Sequence, residues 1–308
     1  MNYFDLHCDT ATECFDRRCG LSGNDLGLSL ERTAKYEKWA QVYAVWLNDN
    51  LRGEAAFRRF RSVAEFFADQ MAENAGTVSF CRTAADLKKA AGENRRAAML
   101  SIEGSGALAG SMEHFLEAYR LGVRLVTLTW NGRCEAADGC GVPDAGGLTR
   151  FGEDLVREMN RLHVIVDVSH LSEKGFWDVA RISRAPFVAS HSDSKAVCGH
   201  RRNLTDGQFR EIVSGGGLVG LNLCGAFLKN EGAKAEDVLR HAEHFLKLGG
   251  ENVLAVGSDI DGCDMADGIS RVEDMSRLYD LLAGEFGAEI AGKIFWDNAA
   301  RFFEENLN

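Results

Sequence analysis

Eight short β-rich runs recur along the chain, and most are separated by longer stretches with helical periodicity. The runs are YFDLHCD (3–9), AQVYAVWL (40–47), AAMLSIEG (97–104), RLVTLTW (124–130), HVIVDVSH (163–170), PFVASHS (186–192), GLVGLNL (217–223) and VLAVGSDID (253–261). Between them lie amphipathic segments such as FRRFRSVAEFFADQMAE, MEHFLEAYRLG, FGEDLVREMNRL, EKGFWDVARIS, TDGQFREIVSGG and KAEDVLRHAEHFLKLGG. Strands that are nearly apolar on both faces and joined by crossover helices belong in a parallel sheet covered on both sides. Eight such units predict an α/β fold, a (β/α)8 TIM-like barrel, rather than an open doubly wound sheet. No G-x-G-x-x-G follows the first strand, which also speaks against a dinucleotide-binding fold.

The polar residues of these runs fall at one end. His7 and Asp9 end the first, Glu103 the third, His170 the fifth, His191 the sixth, and Asp259 with Asp261 the eighth. In a parallel barrel the C-terminal strand tips converge on one face, where active sites of this architecture sit. Alternation places His7 and Asp9 on the same side of their strand, with Asp5 below them, and sends Cys8 the other way into packing against helices.

Composition narrows the possibilities. The 308 residues include only two prolines, Pro143 and Pro186, and show no linker or single-charge tract, so one continuous domain over 1–308 is expected. A net charge of −11 argues against nucleic acid or an anionic membrane as partner, since either requires a basic patch. The first strand begins at once, leaving no room for a signal peptide, and no apolar stretch is long enough to span a bilayer. Nine scattered cysteines suit reduced thiols in a cytoplasm, and Cys134 and Cys140 read as free thiols.

Three histidines and two or three carboxylates make a nitrogen and oxygen site suited to Zn²⁺ or a similar divalent ion. Five ligands suggest two ions per chain: His7 and Asp9 on one, His170 and His191 on the other, and Glu103 bridging. A water between two such ions is acidified toward a pKa of ~7 and becomes a hydroxide nucleophile. Asp259 is then available as proton shuttle or anchor for a substrate amine. Asp261, which opens the turn DGCDMADG, is expected to bond backbone amides. His114, His163, His200, His241 and His244 read as structural or solvated.

Six ordered motifs carry a specific resemblance: FDLHCDT, SIEGSGAL, AYRLGVRLVTLTWN, GLTRFGEDLVREMNRLHVIVDVSHLS, ASHSDSKAVCGHRRNLTD and VGSDIDG. Through them the chain resembles the membrane dipeptidase (renal dipeptidase) family of zinc peptidases. The resemblance implies the same five metal ligands and Glu103 as the catalytic bridge, Asp259 facing the substrate and the bridging water, and Arg202 gripping a substrate carboxylate. A guanidinium suits that task because it binds a carboxylate bidentately; the neighbouring Arg201 is expected at the surface. It further implies a dipeptide substrate, with a D-residue accepted at the C-terminal position, and a homodimer.

The chain departs from the pattern at Trp130. Many family members carry a histidine there, thought to stabilise the oxyanion, whereas indole offers a neutral N–H and a large apolar surface. Trp130 is therefore expected to be a substrate-packing wall. The oxyanion role would pass to a zinc ion or to a donor from the loop 131–147, whose glycines suit a mobile lid. Two other readings stay open: a binuclear hydrolase of cyclic amides, lactams or γ-glutamyl-type conjugates, and a metal-binding scaffold whose catalysis has lapsed.

Overall fold

The computed structural model describes residues 1–308. Nine parallel strands form one sheet: β1 (Tyr3–Cys8), β2 (Trp39–Trp46), β3 (Val78–Phe80), β4 (Arg96–Glu103), β5 (Val123–Thr127), β6 (Ile165–Asp167), β7 (Val188–Ala189), β8 (Leu218–Leu221) and β9 (Leu254–Val256). β1 pairs with both β2 and β9, and β2 pairs with β4, so the sheet closes into an eight-stranded barrel. The ninth strand, β3, pairs only with the start of β4 and stays outside the ring. Three residues are too few to show a period, which is why the sequence pattern did not announce it.

The predicted helices form between the strands. The segment Gly53–Glu73 places Phe57, Phe60, Ala64, Phe67 and Met71 at intervals of three and four and buries that stripe. Several βα loops stop where a hydroxyl caps the next helix. Thr149 Oγ1 accepts from Gly152 N, Ser172 Oγ from Gly175 N, and Thr205 forms a capping box with Gln208. The caps at Ser172 and Thr205 matter for the site, because each fixes the end of a loop that carries a candidate residue, His170 or Arg202.

Inside the barrel the lower layer is apolar. Phe4, Val42, Met99, Leu125, Ile165, Val188 and Leu218 pack with Phe302, Phe303 and Leu307 from the C-terminal helix and the residues just after it. The layer above is polar. Asp167 accepts from Thr127 Oγ1 (2.6 Å), Ser190 Oγ (2.6 Å), Ser169 N (3.0 Å) and Ser190 N (2.9 Å), tying β5, β6 and the end of β7 together. The candidate ligands sit on this buried network.

β1 departs from simple alternation. Phe4 and Leu6 lie in the inner cluster, Tyr3 and Cys8 in the outer one, and the register with β2 shifts between Asp5 and Cys8. A bulge in that interval turns His7 inward without an intervening outward residue after Leu6. Asp5 is consequently not below His7 and Asp9 on their face. Its carboxylate accepts from Tyr3 Oη (2.5 Å), Ser258 Oγ (2.5 Å) and Ser258 N (2.9 Å), which binds β1 to the end of β9. Cys8 packs outward as expected.

Candidate active site

All five expected ligands meet at the C-terminal mouth of the barrel, and all are buried. Glu103, the last residue of β4, stands between two halves. Its Oε2 lies 3.4 Å from His7 Nε2, which is also 3.4 Å from Asp9 Oδ2. Its Oε1 lies 2.9 Å from His170 Nε2 and 3.7 Å from His191 Nε2. The ligand atoms of His7, Asp9 and Glu103 lie within 4.8 Å of one another, as do those of Glu103, His170 and His191. A third set with the same spacing contains His7, His191 and Asp259, so geometry alone leaves Asp259 within reach of a metal.

The strands are shorter than the sequence runs, and His170, His191 and Asp259 fall just beyond their ends. His170 and Asp259 adopt left-handed backbone, φ 65° and 64°, which turns the chain into the mouth. Such conformations cost of order 1–3 kcal/mol each outside glycine and gather where a site requires a particular aim. Asp261 is also left-handed, φ 67°, but it serves structure. Its carboxylate accepts from Gly27 N (2.6 Å) and Leu28 N (3.3 Å), backbone amides of a distant segment rather than of its own turn, and from Thr10 Oγ1 (2.6 Å).

Hydrogen bonds select the tautomers of two ligands. His170 Nδ1 faces Asn131 Oδ1 at 3.0 Å, an acceptor, so Nδ1 carries the proton. His191 Nδ1 faces Ser190 Oγ at 2.7 Å, and that hydroxyl donates to Asp167, so Nδ1 is again the donor. Both Nε2 lone pairs therefore point inward, only 3.0 Å apart. Two facing lone pairs repel, and a cation between them removes the conflict. His7 Nδ1 and Nε2 and Asp9 Oδ1 are buried with no hydrogen-bond partner, another sign that the site is built for something bound. A nitrogen and oxygen donor set with second-layer hydrogen bonds to the imidazoles fits a divalent first-row ion.

Without metal the site is electrostatically divided. Burial alone would lower His7, but the carboxylates of Glu103 and Asp9 outweigh it and hold the imidazole well above its usual value. Burial and the charge of Glu103 push Asp9 up to about 7, against the pull of His7. Burial opposes ionisation of Glu103 too, yet the charge of His7 holds it well below the usual carboxylate range. His170 is lowered by burial and by Arg202, and His191 is lowered further by burial, His7 and Arg202. The second half of the site thus offers neutral imidazoles, the form a metal takes.

Beside the ligands opens a cleft of about 310 Å³, walled by Trp46, Trp130, Asn131 and Phe227 and floored by Asp9, Glu103 and Asp259. Trp130 packs edge-on against Trp46, ring centres 5.1 Å apart at 76°, and the indole forms part of the cleft wall. The loop 131–147 is not built as a lid. A Cβ on Gly139 would lie 2.2 Å from Trp130 O, and one on Gly141 would lie 2.7 Å from Asn131 O. These glycines allow the loop to press against the backbone after β5, and Cys140 N donates to His170 O at 2.7 Å. Cys134 and Cys140 are free thiols.

Arg202 is buried while Arg201 is exposed. Arg202 lies behind the main cleft in a small adjoining cavity that shares His170, its Cζ 5.3 Å from the Phe227 ring. Nη2 donates to His191 O (3.1 Å), whereas Nε and Nη1 are buried without partners. Other residues brace this corner. His241 accepts from Ser194 N at Nδ1 and donates to Leu228 O from Nε2, and Asn203 Nδ2 donates to Cys198 O and Phe227 O. His200 stacks on Phe227, His114 stacks on Phe57, and His244 bonds Asp206.

The sequence reading missed Asn222. Its Oδ1 accepts from Cys224 N (2.6 Å), so its NH2 faces Asp259 Oδ2 (3.0 Å) and His191 O (3.3 Å). The signal was present, since Asn222 is the polar residue near the tip of the run GLVGLNL. Trp46, at the tip of β2, is a further cleft residue that the strand pattern did not single out.

An eight-stranded parallel barrel with two histidine–carboxylate ligand sets at its C-terminal mouth defines the class: a metal-dependent hydrolase. Residues 1–308 match the membrane dipeptidase family, peptidase family M19, and the chain belongs to that family. It is 36% identical over 243 residues to a protein in the pqqA 5′ region of Klebsiella pneumoniae, covering 75% of this chain and 90% of that one. Two solved structures are similar throughout. One is the dipeptidase AC, a metallo peptidase of family M19, with 29% identity, TM-score 0.93 and coverage of 100% and 99% of the two chains. The other is a metallo peptidase from Rhodobacter sphaeroides bound to a phosphinate mimic of the dipeptide L-Ala-D-Ala, with 27% identity, TM-score 0.92 and coverage of 99% of each chain. No helix of this protein is long and apolar enough to cross a membrane.

Proposed function

We propose that the chain, working as one hydrolase domain over 1–308, cleaves dipeptides at two zinc ions, accepting a D-residue at the C-terminal position. The observation that carries the two-ion reading is Glu103, whose two oxygens face different ligand sets. His7 and Asp9 would hold one ion and His170 and His191 the other, with Glu103 between the two sets. Bound there, the ions supply Lewis acidity and lower the pKa of water at the site. The phosphinate-bound relative supports both the dipeptide and the D-configured end. Nine free thiols support a reducing, cytoplasmic setting.

The chain's own residues do the rest. Asn222 occupies Asp259 Oδ2, which leaves Oδ1, 3.8 Å from His7 Nε2, as the oxygen that accepts a proton and returns it to the leaving amine. The unpartnered nitrogens of Arg202 bind the free carboxylate of the dipeptide. Trp130 and Trp46 pack the substrate and exclude water.

Metal analysis of the purified protein and a panel of L-L and L-D dipeptides, assayed with and without chelator, test the reading. Two zinc ions per chain and chelator-sensitive turnover are expected. Fewer than one metal per chain after zinc supplementation, or no chelator-sensitive turnover on any dipeptide, would refute it.

A further inference from the structure

Hydrolysis of an amide builds negative charge on the former carbonyl oxygen, and a preorganised donor aimed at that charge is often the largest single contribution to rate. Few side-chain donors on the cleft wall are free for this. Thr12 Oγ1 donates to Ala44 O and accepts from Trp46 N. His170 spends its Nδ1 proton on Asn131. The indoles of Trp46 and Trp130 pack edge-on against each other and carry their neutral N–H groups on large apolar rings. The carboxamide of Asn131 is a donor on the same wall whose orientation its neighbours fix.

Its orientation is determined by its neighbours. Oδ1 receives His170 Nδ1 at 3.0 Å and the Cys140 thiol at 3.7 Å. A His170 that ligates a metal through Nε2 carries its proton on Nδ1, and the Cys140 thiol also donates toward the same atom of Asn131; a flipped amide would set N–H against both, so Oδ1 stays there and Nδ2 lies on the other side. Nδ2 has no acceptor within the protein, and Asn131 is half-buried on the cleft wall. The backbone beneath it is held still. Gly141 N donates to Asn131 O at 2.9 Å, and the missing side chains of Gly139 and Gly141 let the loop lie directly on Trp130 and Asn131. One carboxamide therefore does two things: its oxygen aims a ligand histidine, and its nitrogen is left as a fixed, unspent donor.

We propose that Asn131 is a catalytic residue whose Nδ2 donates a hydrogen bond to the developing oxyanion of the dipeptide carbonyl. This rests on the dipeptidase reading above. It assigns the oxyanion role that stays open when an indole stands at position 130.

Asn131→Asp tests it, because it keeps an oxygen for His170 Nδ1 and removes the donor. Asn131→Ala, which adds no charge, is its companion. Three readouts are taken on the zinc-loaded enzyme: steady-state kinetics on a dipeptide that the wild type cleaves, zinc per chain, and the inhibition constant of a phosphinate dipeptide analogue. Asn131→Asp is expected to lose ~100-fold or more in kcat, the loss typical when one oxyanion donor is removed. KM should stay within ~3-fold and zinc per chain unchanged, while the tetrahedral phosphinate weakens by a factor comparable to the kcat loss. Asn131→Ala should lose at least as much kcat. An Asn131→Asp enzyme with near-wild-type kcat, or one whose activity falls only in step with its zinc, would overturn the assignment and leave the dipeptidase reading intact. A wild type that cleaves no dipeptide would remove both.

Discussion

Replacing Arg202 by Met should separate binding from folding. The guanidinium is buried, gives one nitrogen to His191 O, and leaves Nε and Nη1 without partners. If those two nitrogens take the substrate carboxylate, each forms a charge-assisted hydrogen bond of about 1.5–3 kcal/mol. Losing both costs roughly 3–5 kcal/mol, the range seen when one partner of a buried charge pair is truncated. At 1.4 kcal/mol per factor of ten this is a fall of about 10²- to 4 × 10³-fold in kcat/KM.

The free protein should respond the other way. An unpaired buried cation is expensive, and a methionine of similar length fills the space beside Phe227, so the melting temperature of the zinc-loaded variant should hold or rise, by ~2 °C per kcal/mol gained. The assay compares kcat/KM on a dipeptide with that on its C-terminal amide, alongside thermal melts. The dipeptide should lose most of its advantage over the amide. Equal losses on both substrates together with a melting temperature lowered by ~5 °C would mean that Arg202 braces the fold and does not read the carboxylate.

Two further outcomes follow from the geometry. His7 and Asp9 hold protons near neutrality in the metal-free protein, for the electrostatic reasons given above, so ions must displace them. Metal affinity should therefore fall as pH falls through about 7, by up to ~10-fold per pH unit for each proton displaced, and calorimetry in buffers of different ionisation enthalpy should detect proton release at pH 6.5. Both folded-state values are raised, so the stability these two groups contribute is present at low pH and lost as pH rises through them, whereas the lowered His170 and His191 contribute in the opposite sense across the ordinary histidine range. Gly139→Ala would force a Cβ to within 2.2 Å of Trp130 O, and about 1–3 kcal/mol of stability should go with it, together with kcat. Gly199→Ala, which meets nothing within 4 Å, should melt within ~1 °C of the wild type; equal effects from the two would refute the packing role of Gly139.

Much of this protein is written locally. Eight apolar β-rich runs alternating with amphipathic stretches dictate a parallel barrel, because the periods 2 and 3.6 are properties of neighbouring residues. The candidate ligand set was legible for the same reason: His7, Asp9, Glu103, His170 and His191 stand at strand tips, and a closed parallel sheet brings all tips to one end. Tertiary structure decided the aim. The bulge that turns His7 inward and separates it from Asp5 depends on pairing with β2, a partner more than thirty residues away. The left-handed turns at His170 and Asp259 are held by the packing around them. Asn131 and Asn222 gain meaning only from the atoms that claim one side of each carboxamide, contributed by His170 and Cys140 in one case and by Asp259 and His191 in the other. Hydrogen bonds that choose a tautomer or an amide orientation join residues distant along the chain, and no pattern of neighbours along one strand encodes them.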